Sequence, residues 1–143
     1  MRAVVWIAES TWETCVDEAA AVVPAEASVA LLHVAPSDVE LVAARRHGPL
    51  GRHHRPPPGP PLEGIADEAA RELLADAAAR LGRPAQTLAL RGRVEQEVVA
   101  AAAGADLLVV ARDGERRPGP KSLGPRTRFV VDHAPCRVLL VWH

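Results

Sequence analysis

Aromatic side chains are scarce: one Phe, three Trp and no Tyr in 143 residues. Nucleic-acid binders that work by stacking need such rings in number, so that class of partner is disfavoured. A surplus of one charge is missing as well. The formal net charge is −1, far from the basic balance of a dedicated nucleic-acid binder. Cysteine occurs only at Cys15 and Cys136, with no CxxC spacing. Neither a metal site nor a redox pair is encoded by that usage, and reduced thiols fit a cytoplasmic setting. No apolar run approaches the ~18 residues of a spanning helix. The start, Met1–Ile7, carries one positive charge and meets Glu9 too early for a signal peptide. The expectation is a cytoplasmic protein with no membrane role. Also missing are G-x-x-x-x-G-K-[ST], G-x-S-x-G and H-E-x-x-H, and with them the common phosphate-loop, serine-hydrolase and zinc-protease chemistries. The chain reads as a non-enzyme.

What is present is globular. Hydrophobic residues make up 48% and charged residues 24%, and the length suits one domain spanning 1–143. Ala3–Ala8 is an apolar run suited to a central strand. Ser10-Thr11-Trp12-Glu13 has the S-x-x-E form of a capping box, which predicts Ser10 as the cap of a helix carrying Cys15, Val16, Ala19, Ala20 and Val23 up to Pro24. Val29–Val34 is a second strand, stopped by Ala35-Pro36-Ser37. A short helix over Val39–Ala44 follows. Glu63–Leu81 is the clearest helix, with Ile65, Ala69, Leu73, Leu74, Ala77 and Leu81 on one face and Gly82 where a C′ glycine belongs. A shorter strand at Pro84–Leu90 and a helix at Val94–Ala103, ended by Gly104, complete the middle.

The last third organises the rest. Leu107–Ala111 is a continuous apolar run, followed by a Gly- and Pro-marked loop, a short helix at Thr127–His133 and a second apolar run at Val138–Trp142. This is a strand–loop–helix–strand unit, whose ligands bind where the loop leaves the first strand and enters the helix. Strands alternating with helices predict an α/β three-layer sandwich around a five-stranded, mainly parallel sheet of Rossmann-like type.

One stretch fits no element. Arg45–Pro61, RRHGPLGRHHRPPPGPP, has six prolines, three glycines and four arginines without a carboxylate. It predicts a mobile surface loop. Its polyproline run could dock a protein partner. His47, His53 and His54, with His33, could reach a soft metal, but adjacent histidines and the lack of a nearby Cys or carboxylate argue for no metal site. Asp132-His133 neighbour each other in sequence, yet adjacent residues on a helix point apart.

The pattern DLLVV…G…G…HAPC-x-VLLV, with LLHVAP after the first helix, resembles the universal stress protein family, whose signature is G-x2-G-x9-G-[S/T]. Here the frame reads Ala111-x2-Gly114-x9-Gly124-Pro125. The spacing is kept, while the first glycine is Ala and the hydroxyl residue is Pro. The resemblance implies an adenine-nucleotide-hydrolase-like fold, a homodimer through the last strand (Val138, Leu140, Val141, Trp142), and a nucleotide site. On that site the resemblance places Trp6, Ile7 and Ala8 at the end of strand one, Val34 on strand two, and Val110, Ala111, Gly114, Gly124, Pro125, Arg126 and Thr127 around the loop.

The departures weaken the implied site. Ala8 stands where an Asp would anchor the ribose, and a lost charge-assisted hydrogen bond costs ~1.5–3 kcal/mol. Pro125 has no N–H for a phosphate. Asp113 adds a negative charge near a polyanion. Trp6 either stacks on a base or fills the cavity. Arg112, Arg116, Arg117, Lys121 and Arg126 offer compensating charge. The expectation is a homodimeric regulatory or interaction module that requires no cofactor, its nucleotide binding weakened or lost. The alternative is a stress-response switch binding ATP or another adenine nucleotide through the Gly114–Thr127 loop.

Overall fold

The apolar runs become a single parallel sheet. β1 (Arg2–Trp6) lies at its centre, flanked by β2 (Ser28–Pro36) and β4 (Leu107–Arg112), with β3 (Gln86–Gly92) and β5 (Arg137–Trp142) at the edges. The order is β3-β2-β1-β4-β5, and every pairing is parallel. Parallel strands are covered on both faces, which is why β1, β2 and β4 read as unbroken apolar runs rather than alternations. The computed structural model describes residues 1–46 and 62–143. The polyproline docking segment and His47, His53 and His54 therefore lie outside the described residues.

The helices are α1 (Trp12–Val22), α2 (Asp38–Arg46), α3 (Leu62–Leu81), α4 (Val94–Ala101) and α5 (Pro125–His133). Ala3 and Val5 of β1, with Ile7 just beyond it, turn to a core with α1 and α3. Even residues, Val4 and Trp6, turn to a core with α4 and α5, built on Val94, Val98, Ala102 and Val130. The three-layer α/β/α sandwich is as the sequence predicts. Gly82 and Gly104 end their helices at φ +69° and +75°, the left-handed cap conformation that glycine adopts without strain.

Several local expectations are corrected. Ser10 does not cap α1: the helix begins at Trp12, Thr11 is its cap residue, and no side chain bonds a first-turn amide. The turn closes through backbone, Thr11 and Trp12 N–H both donating to the Ala8 carbonyl (3.1 and 3.0 Å). β2 runs through Pro36 instead of stopping at Val34. Pairing with β1 ends at Trp6↔Leu32, so the N–H that Pro36 lacks falls where only β3 is alongside. Among the described side chains of α3 the buried positions are Ala70, Leu74, Ala77 and Leu81, while Ala69 is exposed; the side chain of Ile65 lies outside the described residues. α2 extends through Arg46, two residues into the stretch expected to be loop.

Candidate functional site

The carboxyl ends of β1, β2, β3 and β4 open into one cleft of about 830 Å³. Trp6, Ile7 and Ala8 reach it from β1, Val34 and Pro36 from β2, Arg91 from β3, and Asp113 from the turn after β4. This is the crevice where open α/β sheets take ligands. Of the residues assigned to a nucleotide site from sequence, the cleft brings together Trp6, Ile7, Ala8, Val34 and Arg126. Val110 and Ala111 are buried in the sheet, one on each core, and Thr127 is buried beneath the loop. Trp6 is 9% exposed and packs in the α4–α5 core with Val4, Leu32, Val34 and Val94. Its ring is a wall of the cleft and a member of the core.

The loop from Asp113 to Gly124 closes on itself. Gly114 N–H donates to the Ser122 carbonyl (3.0 Å) and Glu115 N–H to the Lys121 carbonyl (2.8 Å). A Cβ at position 114 would collide with the Lys121 carbonyl oxygen and the Ser122 backbone, so only glycine permits this closure. Two consecutive residues at the end of β4 clasp the loop. Arg112 Nη1 donates to Ser122 Oγ (2.7 Å), and Asp113 reaches forward to the start of α5.

That second reach decides what the loop offers a ligand. The N-terminus of α5 is a natural anion site, with free amides and the positive end of the helix dipole. Pro125, at the first helical position, contributes no N–H. The Gly124 amide donates to Asp113 Oδ1 (2.8 Å), and the Thr127 hydroxyl donates to Asp113 Oδ2 (2.8 Å). A Cβ on Gly124 would press on the same carboxylate at 3.1–3.3 Å. The absence of a side chain at Gly124 lets this carboxylate approach the start of α5.

Four of the five loop cations have partners within the chain. Arg112 bonds Ser122 and lies 4.7 Å from the Trp142 ring centroid. Arg117 and Lys121 face Glu115 (2.6 and 3.8 Å). Arg126, the one of the five on the cleft, is 3.8 Å from Glu95 Oε2. Sequence reasoning counted these charges without their partners, which are Ser122 and Glu115 in the same loop and Glu95 on α4. It also passed over Glu72, Asp76 and Arg91, which line the same cleft as His33; no local spacing marks them.

Conventional nucleophiles lie elsewhere or are disarmed. Burial pushes the Cys15 thiol up to about 12. The Cys136 thiol is raised by desolvation and by the charge of Asp106. His133 stacks on Phe129 (centroids 3.9 Å) with Nδ1 on the Phe129 carbonyl, and Asp132 is exposed beside it. Among the described residues no group of three or more His, Cys, Asp or Glu could hold a metal, and no helix is long and apolar enough to cross a membrane.

Comparison with known families settles the lineage. The universal stress protein family model matches residues 12–141. The chain belongs to the universal stress protein family. Among solved structures, this universal stress protein is similar to hypothetical protein MJ0577 (TM-score 0.74, 18% identity, covering 99% of this chain and 95% of that one). It is also similar to a universal stress protein in complex with cAMP (0.64, 18%, 99% and 96%). A third likeness is to the universal stress protein from Archaeoglobus fulgidus in complex with dAMP (0.60, 20%, 99% and 97%). At these identities the likeness is one of fold. No curated protein matches the chain.

Proposed function

We propose that this universal stress protein is a regulatory or interaction module whose adenine-nucleotide affinity is weakened because Asp113 fills the phosphate position of its own loop. The contact of the Asp113 carboxylate with Gly124 N–H and Thr127 Oγ1 carries the reading. An incoming phosphate must displace a carboxylate held by two hydrogen bonds, or bind beside it against like-charge repulsion. Ala8 offers the ribose no carboxylate, and Pro125 offers no amide. The reading includes no catalysis and no required cofactor.

The alternative is an ATP-binding switch using the Gly114–Thr127 loop. In its favour are the size of the cleft and the fold-level neighbours that hold cAMP and dAMP. Calorimetric titration with Mg-ATP, beside heat extraction of co-purified nucleotide, separates the two. The proposed module gives no heat at millimolar ATP and an empty extract. Saturable micromolar binding, or nucleotide in the extract, would reverse the order of the readings.

A homodimer through β5 belongs to the same proposal. β5 is an edge strand, and Trp142 on it is exposed. Val138 and Leu140 are half-buried toward α4 and α5, whereas Val141 is buried in the α1–α3 core. An apolar edge of this kind is covered in stable proteins. Leu140→Lys is therefore expected to shift the protein from dimer to monomer in light scattering. A wild-type protein that is monomeric, or a variant that dimerises as well as wild type, would remove this interface.

A further inference from the structure

The end of the sheet opposite the cleft holds a second hollow. The starts of β1, β2 and β3, with the turns that lead into β2 and β3, line about 470 Å³. Its walls are apolar, with Ala27, Val29, Ala30, Pro84 and Ala85. Its charged lining is Arg2 and Arg83 against Glu26, so cations outnumber carboxylates. None of these three side chains has an ion-pair partner among the described residues.

Half-buried Arg83 is set in place by the chain around it. It stands between Gly82, whose φ of +69° ends α3, and Pro84, whose ring fixes its own φ. Its Nη1 donates to the Pro24 and Val23 carbonyls (2.7 and 3.3 Å), acceptors that the end of α1 leaves open. Capping that helix end accounts for only one of the guanidinium nitrogens. Nε and Nη2 are shielded from solvent and have no acceptor among the described residues.

Those two N–H groups lie side by side on one edge of the guanidinium, a fork whose spacing matches the two oxygens of a carboxylate. Arg80 shows the match on the same helix: its Nε and Nη2 hold Asp17 Oδ1 and Oδ2 at 2.7 Å each. A shielded donor without a partner is rare in folded proteins and marks a place where another group belongs. Here two such donors stand together on one cation.

We propose that the hollow at the amino end of the sheet binds a small aliphatic carboxylate, its oxygens on Nε and Nη2 of Arg83 and its hydrocarbon against the alanine and valine walls. Two features select a monocarboxylate over a phosphate dianion. Glu26 belongs to the same lining, and α1 and α3 both end here with the negative poles of their dipoles. Because the Nη1 bonds already hold the guanidinium, binding orders no long side chain. Glu26 and Gln86, the long exposed side chains of the lining, turn aside to uncover the fork. The site is separate from the carboxyl-end cleft and does not depend on what Asp113 does there.

The test uses the full chain with hexanoate, and with hexanol and inorganic phosphate as the uncharged and the tetrahedral controls. Arginine Nε–H signals in proton–nitrogen correlation spectra report the fork directly, once the Arg83 signal is assigned through its own backbone amide. Hexanoate is expected to move that signal saturably at millimolar concentration or below, and hexanol to leave it in place. Phosphate should bind about tenfold more weakly than hexanoate. Arg83→Lys keeps the charge and a donor for the Pro24 carbonyl but loses the fork, and should hold hexanoate about tenfold more weakly. Glu26→Gln, at an exposed position, removes the opposing charge without touching the fork and should hold hexanoate about threefold more tightly at low salt. The proposal is overturned by an unmoved Arg83 signal, by hexanol binding as tightly as hexanoate, or by a preference for phosphate. Equal or weaker hexanoate binding in Glu26→Gln overturns it as well, and that variant decides the matter even where Arg83→Lys fails to fold.

Discussion

Trp6→Ala is expected to lose about 3–5 kcal/mol of stability, the cost of emptying a large aromatic site in a packed core. The indole is 9% exposed and packed on Leu32, Val34 and Val94 beneath α4. Urea unfolding followed by far-ultraviolet circular dichroism measures the loss, and Trp142→Ala is the internal comparison. Trp142 is 43% exposed on the edge strand and touches the Arg112 guanidinium, a contact of about 0.5–1 kcal/mol at such sites. A Trp6→Ala loss no greater than that of Trp142→Ala would mean that the ring is a free wall waiting for a ligand, and the core assignment would fail. The expected ordering places Trp6 on the cavity-filling side of the two roles open to it from sequence.

Asp113→Ala is expected to cost about 2–3 kcal/mol. The variant leaves the buried Thr127 hydroxyl and the Gly124 amide without their acceptor, and stranding a buried donor costs about 1–3 kcal/mol. The start of α5 loses its tie to the end of β4 in the same step. A double-mutant cycle with Thr127→Val isolates the contact. The two single losses should exceed the double loss by about 1 kcal/mol or more, since both variants break one hydrogen bond. Strict additivity would mean that Asp113 does not hold Thr127. The same Asp113→Ala protein, with the internal anion removed, is the one in which Mg-ATP binding should become measurable.

The architecture was legible because a parallel sheet writes itself as apolar runs. Leu107–Ala111 and Val138–Trp142 read as strands of one parallel unit, and Gly82 and Gly104 marked helix ends through a conformation other residues resist. Errors arose where two residues satisfied one rule equally. Ala69 and Ala70 are the same residue type on adjacent faces of α3, and the folded structure buries Ala70 and exposes Ala69. Ser10 and Thr11 both qualify as caps; the Ala8 carbonyl, invisible to a sequence motif, closes the turn without either side chain.

The site was legible in its parts and not in its wiring. Asp113, Gly124 and Thr127 were each noticed, the first as an obstacle and the other two as loop positions of the implied site. Nothing in their spacing says that an aspartate folds forward across eleven positions to meet the helix it repels ligands from. Likewise Arg126 counted as a free charge until Glu95, on another helix, appeared 3.8 Å away. Long-range partners decide the sign of such contributions, and periodicity carries no trace of them.

A sensor needs two states of comparable free energy, one of which its messenger prefers. The clasp made by Arg112 and Asp113 gives the loop its donors and its anion from the same chain, which favours this one arrangement before any messenger arrives. On the proposed reading, information then passes through this protein by its abundance and by what covers its surface, and its loop keeps the shape of a receiver with the message already written in.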